Sequence, residues 1–314
     1  MIDSGLRVAA LVVVSLVAGL AACTTAPPVA PSWETRLRGD AIVLLGEVHD
    51  NAEQHRLRLA ALRRAFVAGW RPALVMEQFD RGQQAAIEQA RRERPGDARH
   101  VIDAAVAPGN PGGWDWTFYR PFVALALEFG VPLIAANLSN ADTSKIARGG
   151  LATVFDAASL AALGLDRPLP ADWQAAQERE IDAGHCGLLP RAVWPRMAAA
   201  QFARDAVMAR ALVDHAGAGA VLLAGNGHAR RDLGVPRWLG GDADRVVSIG
   251  YLEAGDAATP PAAFDAVVRT AAAARPDPCL AFRPRQSRPG DVPDRSSPAG
   301  TVPIQLRSIS SYSS

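Results

Sequence analysis

The sequence predicts an α/β fold with a mainly parallel sheet flanked by helices and a helical cap insertion. Short, almost continuously apolar runs alternate with longer segments of helical periodicity. This alternation is typical of parallel sheets, whose two faces are both covered by helices. No obvious strand occurs between residues 138 and 200, which predicts that this segment forms the helical cap.

The elements can be assigned in chain order. Asp50 and Glu53 resemble a capping box, which predicts a helix from Asp50 to about Ala68. Gly130 is expected to end a later amphipathic helix. The predicted strands cover residues 41–45, 72–79, 131–137, 219–228 (a range that includes the loop after the strand), 245–253 and 264–270. The other predicted helices cover residues 80–94, 119–130, 171–183 and 194–216.

The amino terminus has the pattern of a secretory signal. After Arg7, the apolar run over residues 8–23 is short for a membrane span and ends in small residues. Its end, "LAAC", resembles the bacterial lipobox, in which the cysteine, here Cys23, carries lipid. Thr24 at the next position resembles lipoproteins sorted to the outer membrane, facing the periplasm or the cell surface. We therefore predict a signal peptide over 1–22, a flexible tether over 23–34, a folded domain over 35–284 and a disordered tail over 285–314.

Charge and cysteine content restrict the classes of function. The net charge of +1 leaves no basic surplus of the kind that nucleic-acid binding needs, so no nucleic-acid partner is expected. Two cysteines remain in the mature chain, Cys186 and Cys279. In an oxidising compartment they could form a disulfide, although free buried cysteines would be equally consistent with the sequence.

Acid, imidazole and amide groups follow several of the predicted strands. Because the carboxyl ends of parallel strands lie along one edge of the sheet, which is where open α/β folds bind ligands, these groups are expected to meet there. Capping and turn formation are the alternative roles, above all for Asn137. The residues at these strand ends are Glu47, His49, Glu77, Asn137, His228, Tyr251 and Glu253.

This set of side chains has two chemical interpretations. His49, His228 and a carboxylate could hold a divalent metal ion, with Glu47 or Glu77 as a further ligand or general base. Alternatively, they form a polar floor under a large ligand. No role is expected for the histidines on helical or polar stretches, which are His55, His100 and His215.

The motifs, taken together and in order, resemble those of the ChaN-type haem-binding lipoproteins. This family belongs to a wider superfamily with the Tiki, TraB and erythromycin esterase proteins. The resemblance extends over residues 38–280. It is carried by "LLGEVHDN" (44–51), "VMEQF" (75–79), "GWDWTFYRPFVALALEFGVPLIAAN" (113–137), "HCGLLP" (185–190), "MAAAQFARDAVMARAL" (197–212), "LLAGNGHARRDLGVPRWL" (222–239) and "RPDPC" (275–279).

The resemblance implies a lipid-anchored protein that binds haem in haem or iron uptake, with a homodimer that buries two haems. It implies a tyrosine ligand to the haem iron, for which Tyr119 is the first candidate and Tyr251 the alternative. It also implies that a histidine, here His185, bonds a propionate of the partner's haem. Arg204 is a second candidate for a propionate, or else part of an internal ion pair with Asp205.

The wider superfamily implies a different function for the same chain. There, a Gly-Glu-x-His motif and a later histidine form a hydrolytic or metal site, and this chain matches it at Glu47, His49, Glu77 and His228. The alternative to haem binding is therefore a metal-dependent or metal-free hydrolase of esters or peptides. No Gly-x-Ser-x-Gly elbow occurs, which argues against a serine esterase. A third hypothesis is an envelope scaffold in which the same residues are structural.

Overall fold

A computed structural model describes residues 32–106, 113–277 and 279–280. The predictions for the signal peptide, Cys23, most of the tether and the tail lie outside these residues. The described chain begins in a 3-10 helix at Ser32, three residues before the predicted start of the domain, and Trp33 is already buried against Tyr251. In the described part of the chain, no helix has the length and apolar character that crossing a membrane requires.

Six strands form one parallel sheet, so the predicted fold class is confirmed. The strand order is β3-β2-β4-β1-β5-β6, which places β1 and β4 at the centre. All strands therefore direct their carboxyl ends to the same edge. Their bounds are β1 Ile42–Leu45, β2 Ala73–Asp80, β3 Leu133–Asn137, β4 Ala220–Leu223, β5 Val246–Glu253 and β6 Ala266–Thr270.

Helices cover both faces of the sheet and form the cap. The α-helices are α1 Ala52–Val67, α2 Gln84–Glu93, α3 Ala98–Ala105, α4 Trp116–Glu128, α5 Asn140–Gly149, α6 Ala157–Ala162, α7 Ala171–Gly184, α8 Trp194–His215 and α9 Asn226–Ala229. Short 3-10 helices occur at Ser32–Arg36, Arg81–Gln83, Leu151–Thr153, Arg191–Val193, Ala216–Ala218, Val235–Trp238, Gly240–Arg245 and Pro261–Ala263.

Strand alternation divides the core between the two sheet faces. Val43 and Leu45 of β1 pack in one cluster with α1 and α4, whereas Ile42 and Leu44 pack with α8 on the other face. A third cluster lies in the cap and includes Trp173 of α7. The cap region, 138–200, contains helices and no strand, as predicted.

Three helix starts differ from the prediction, and the helix expected at 80–94 becomes α-helical only at Gln84. Asn51, not Asp50, caps α1, because its side chain accepts a hydrogen bond from Gln54 N at 3.2 Å. Asp50 instead pairs with Arg275. The helix expected at 119–130 begins earlier, at Trp116, because Asp115 supplies its cap.

Candidate functional site

Side chains from the carboxyl ends of β1 and β2 meet side chains of α1, α4, α8 and α9 at this edge of the sheet, and they form two buried clusters. The first, called here the Glu47 cluster, contains Glu47, His49, His55, Arg58 and Tyr119. The second, called the His228 cluster, contains Glu77, Asp205 and His228.

Glu47 is the centre of the first cluster and is fully buried. Arg58 of α1 donates to Glu47 Oε2, and the Tyr119 hydroxyl donates to Glu47 Oε1. His49 Nδ1 lies 2.7 Å from Glu47 Oε1. Arg58 has no solvent exposure either, so this is a buried ion pair with additional hydrogen bonds, which offset part of its desolvation.

His55 belongs to this cluster, contrary to the expectation that it has no role. Its Nε2 lies 2.9 Å from the His49 carbonyl oxygen, and its Nδ1 lies 2.9 Å from Arg58 Nη2. Burial lowers the pKa of His55 to about 4, so the ring is neutral at pH 7. His55 therefore supports the loop that carries His49.

An aromatic segment borders the Glu47 cluster on its outer side. Trp114 contacts His49 edge-on, with ring centroids 4.8 Å apart, and Phe118 stacks on His55 at 4.6 Å. Trp114, Trp116 and Phe118 are half-buried, whereas Tyr119 is buried beneath them with 1% of its surface exposed. The segment thus shows flat apolar rings next to a polar interior.

The His228 cluster is a histidine held between two carboxylates. His228 Nδ1 lies 2.5 Å from Asp205 Oδ1, and His228 Nε2 lies 3.5 Å from Glu77 Oε1. Glu77 Oε2 accepts a hydrogen bond from Gly225 N at 2.9 Å. Burial lowers the pKa of His228, but the charges of Glu77 and Asp205 overcome this and raise it to about 10.

The pKa values of the two carboxylates that contact His228 are shifted in opposite directions. Burial raises the pKa of Glu77, yet the His228 charge overcomes burial and lowers it to about 2. Burial raises the pKa of Asp205. His49 differs from His228, because burial lowers its pKa. At pH 7, His49 is therefore a neutral imidazole and His228 is an imidazolium. The positive charge of His228 also lowers the pKa of His49.

A polar cavity of about 250 Å³ opens beside the second cluster. Asp205 and His228 line it together with His185 from the end of α7. The structure thus brings His185 to the same cavity as His228, while its Nδ1 lies 2.7 Å from the Ile181 carbonyl oxygen. Cys186, the next residue, forms a disulfide with Cys279.

Two other predicted site residues have structural partners. Asn137 donates from Nδ2 to the Glu77 carbonyl oxygen at 2.9 Å and so joins the ends of β2 and β3. Arg204 is buried, and the charges of Glu77, Asp80 and Asp205 act on it. Its Nη2 lies 3.4 Å from Asn140 Oδ1. Asp205, the ion-pair partner considered for Arg204, is bonded to His228 instead, so both roles of Arg204 stay predictions.

No arrangement of metal ligands accompanies these clusters. Within 32–106, 113–277 and 279–280, no group of three or more His, Cys, Asp or Glu side chains is placed to hold a metal ion. The physical reason lies in their partners: Arg58 neutralises Glu47, and His228 neutralises Glu77. The divalent metal expected as an alternative cofactor therefore has no site among the described residues.

Neither described tyrosine fits the role of a haem ligand as it is placed. Tyr119 and Tyr251 are each only 1% exposed, and burial raises the phenol pKa of both. A phenolate ligand must lose its proton and reach the iron. The aromatic rings beside His49 do fit a porphyrin, because they offer flat apolar surface that is partly exposed.

Sequence reasoning missed Arg58 and Asp205 as parts of this edge. Asn226 bonds the backbone of Tyr251 in both directions, at 2.6 and 3.1 Å, and so fixes the loop after β4 to β5. The signal for Asp205 was available, since a charged pair in an otherwise apolar stretch of α8 indicates buried partners. Nothing local marks Arg58, because exposed arginines surround it in α1.

Of the comparisons with known proteins, a family model identifies the family and a solved structure supports the fold. The family model described as "Haem-binding uptake, Tiki superfamily, ChaN" matches residues 33–239. No curated protein matches the sequence. A solved structure, described as "Cofacial heme binding to ChaN of Campylobacter jejuni", is similar in fold, with a TM-score of 0.57 and 20% identity. The match covers 71% of this chain and 85% of that one. The chain belongs to the ChaN family of haem-binding uptake proteins in the Tiki superfamily.

Proposed function

We propose that this chain is a lipid-anchored envelope protein that binds haem in haem or iron uptake. The observation that carries the proposal is the family match over residues 33–239, which includes both edge clusters and the adjoining part of α4. The half-buried rings of Trp114, Trp116 and Phe118 supply the apolar surface that a porphyrin face needs. His185, half-buried at the polar cavity, remains the candidate for a propionate.

Anchoring and assembly belong to the same proposal. Lipid on Cys23 would hold the protein at the outer membrane, facing the periplasm or the cell surface. The similar structure from Campylobacter jejuni is described as binding haem cofacially. Two haems stacked in that way would need two haem-binding faces, so we propose that haem promotes a homodimer here.

A haemin titration of the full chain in detergent tests the proposal. We expect a saturable absorbance change with an increase in particle size. Trp114→Ala should weaken haemin binding, whereas Trp194→Ala, which changes a half-buried tryptophan in a different part of the chain, should not. Absorbance that rises linearly with haemin, with no saturation, would contradict haem binding.

A second candidate function is metal-free hydrolysis of an ester or peptide. The observation that favours it is that the pKa of His49 is lowered while the pKa of His228 is raised. Two groups whose pKa values are moved apart can act as base and acid. Neutral His49, oriented by Glu47, could accept a proton from water. The His228 imidazolium, beside the polar cavity, could then donate a proton to the leaving group or stabilise the developing negative charge.

The hydrolase candidate has its own test. We expect turnover of some member of an ester and peptide panel by the metal-free protein, lost in His228→Gln and Glu77→Gln. The control is His100→Gln, because His100 pairs with Glu93, which is nearly half-exposed. Equal turnover by the wild type and both edge variants would show that the activity does not come from this edge.

A further inference from the structure

We propose that the polar cavity beside the His228 cluster binds a small uncharged molecule that carries amide or hydroxyl groups. This ligand is not haem, so the proposal goes beyond the proposed function and is tested apart from it. The observation that carries it is a set of buried polar side chains that line the cavity without a hydrogen-bond partner in the described part of the chain. They are Gln177, Gln201 and Thr259.

The cavity lies between α7, α8 and the loop that follows β5. Gln177 lines it from α7, Gln201 from α8 and Thr259 from the loop. Ala183 and Ala258 also line the cavity and are exposed, so solvent reaches it between the end of α7 and this loop. Its volume of about 250 Å³ is several times the ~30 Å³ that one water molecule occupies. The cavity is therefore open to a small molecule.

The three polar side chains are buried, with only 7% of Gln177, 8% of Gln201 and 5% of Thr259 exposed. Among the described residues, no side-chain hydrogen bond joins any of them to another group of the protein. Their polar atoms are not fully enclosed, so these groups face the cavity that they line. Buried polar groups in native proteins are almost always hydrogen-bonded. Three open groups in one cavity therefore indicate an occupant that forms hydrogen bonds.

The charged groups around the cavity indicate that this occupant is uncharged. Arg230, in the cavity wall, donates to Glu180 at 2.8 Å and to Asp232 at 2.7 Å. The His228 imidazolium likewise lies between the two carboxylates of its cluster. An anionic ligand would compete with these carboxylates for both cations, and a cationic ligand would compete with Arg230 and His228 for the carboxylates. An uncharged ligand leaves both sets of ion pairs intact.

Amide and hydroxyl groups are the chemistry that matches the open side chains. A glutamine offers two N–H donors and a carbonyl acceptor, and a threonine hydroxyl can donate or accept. A ligand amide or hydroxyl can therefore pair with each of the three. Ile181 and Leu233 add apolar lining, which suits the carbon skeleton of such a molecule. N-acetylated sugars and short blocked peptides both have this chemistry.

Calorimetric titration of the full chain, in a detergent without a sugar head group, tests the site. The two probes are N-acetylglucosamine and N-acetylalaninamide, which separate a sugar source of the ligand from a peptide source. We expect saturable binding of at least one probe. Gln177→Leu and Gln201→Leu should each weaken this binding roughly fivefold, as expected for the loss of one neutral hydrogen bond.

The variants have a matched control and an independent measurement. Gln89→Leu, at an exposed position of α2 where Gln89 bonds Glu93, should bind the probe as the wild type does. Leucine has about the size of glutamine, and each cavity variant removes a polar group that has no partner in the described chain. Thermal unfolding should therefore show Gln177→Leu and Gln201→Leu to be at least as stable as the wild type. Thr259→Val gives the same binding test if a glutamine variant fails to fold.

Several results would overturn the proposal. If neither probe binds saturably, the cavity holds water alone. Probe binding that is unchanged in the cavity variants would place the probe elsewhere on the protein. Displacement of the probe by sodium acetate would show that the cavity takes an anion, and displacement by haemin would assign the cavity to haem. A chain that binds a probe but not haemin would contradict the proposed function and leave this site standing.

Discussion

At the scale of the residue, the Glu47–Arg58 pair shows how the edge is held in place. Both side chains are fully buried, so each depends on the other for compensation of its charge. A buried pair of this kind adds little net stability compared with apolar residues, but removing one partner leaves an uncompensated charge in a medium of low polarity. A charged Glu47 at this site therefore requires Arg58 for the stability of the fold.

We predict that Arg58→Met lowers the unfolding free energy by about 3–5 kcal/mol, because Glu47 is left charged and buried. Urea denaturation measures the change. The matched control is Arg56→Met, two residues earlier in the same helix, where the pair with Glu53 is exposed and little loss is expected. Equal losses in the two variants would contradict a special role for the buried pair.

His228 gives a prediction about pH. Its folded pKa is raised to about 10 from the ordinary value of 6.5. The folded state therefore retains a proton that the unfolded state releases, and the stabilisation is complete below pH 6.5 and is lost as the pH rises through 10. We expect the unfolding free energy of His228→Gln to lack this decline, which can reach about 1.4 kcal/mol per pH unit.

Denaturation curves at several pH values between 6.5 and 10 provide the measurement. The comparison with the wild type isolates His228 from other groups that titrate in the alkaline range. His215→Gln, at an exposed position, should follow the wild type. If the unfolding free energy declines equally with pH in the wild type and in His228→Gln, the folded protein does not hold an extra proton on His228 between Asp205 and Glu77.

At the scale of the element, close packing of two loops positions the clusters. The loop after β1 passes directly against the loop after β4, where Asn226 N donates to the Glu47 carbonyl oxygen at 3.0 Å. A Cβ atom at Gly46 would lie 2.2 Å from Asn226 Oδ1. The glycine before Glu47 is therefore required by the close approach of the Asn226 side chain.

Gly46→Ala should accordingly destabilise the protein by about 1–3 kcal/mol, the usual cost of an added methyl group in a filled space. It should also disturb the site, because Asn226 loses its position against Tyr251. Thermal unfolding and the haemin titration are the two measurements. Gly82→Ala is the control, since its added methyl group meets no atom within 4 Å. A Gly46→Ala protein as stable as the wild type would show that the loops can separate without cost.

At the scale of the whole molecule, the carboxyl-terminal segment joins the sheet edge to the cap. Arg275 donates to Asp50 at 2.7 Å and to Glu253 at 2.6 Å, which ties the segment to the loop after β1 and to the end of β5. Cys279 is then bonded to Cys186 at the end of α7. The sequence left the pairing of these cysteines open, and the structure joins them.

We predict that Cys279→Ser lowers the unfolding free energy by about 2–5 kcal/mol, because the disulfide closes a separation of 93 residues that the unfolded chain would otherwise be free to explore. Urea denaturation with and without reductant measures the effect. Cys186→Ser and the double variant should lose the same amount as Cys279→Ser. A reductant effect that persists in the double variant would show that the disulfide is not its cause.

Much of this architecture could be predicted from the sequence alone. The apolar runs predicted the six strands, since a parallel strand that is buried on both faces is apolar at almost every position. Glu47, His49, Glu77 and His228 could be assigned to one edge, because parallel strands share the direction of their carboxyl ends. Asn51 was missed as the helix cap because Asp50 has a similar local propensity, and only the contact of Asp50 with Arg275 separates them.

The partners of these residues were decided by the tertiary structure. The sequence determined that carboxylates and imidazoles meet at the edge, but the periodicity of α1 and α8 does not reveal that Arg58 neutralises Glu47 or that Asp205 holds His228. Tyr119 was the sequence's candidate for iron because of its aromatic neighbours, yet those neighbours bury it. The physical reason is that charge state and exposure depend on contacts between distant segments, and no local pattern records those contacts.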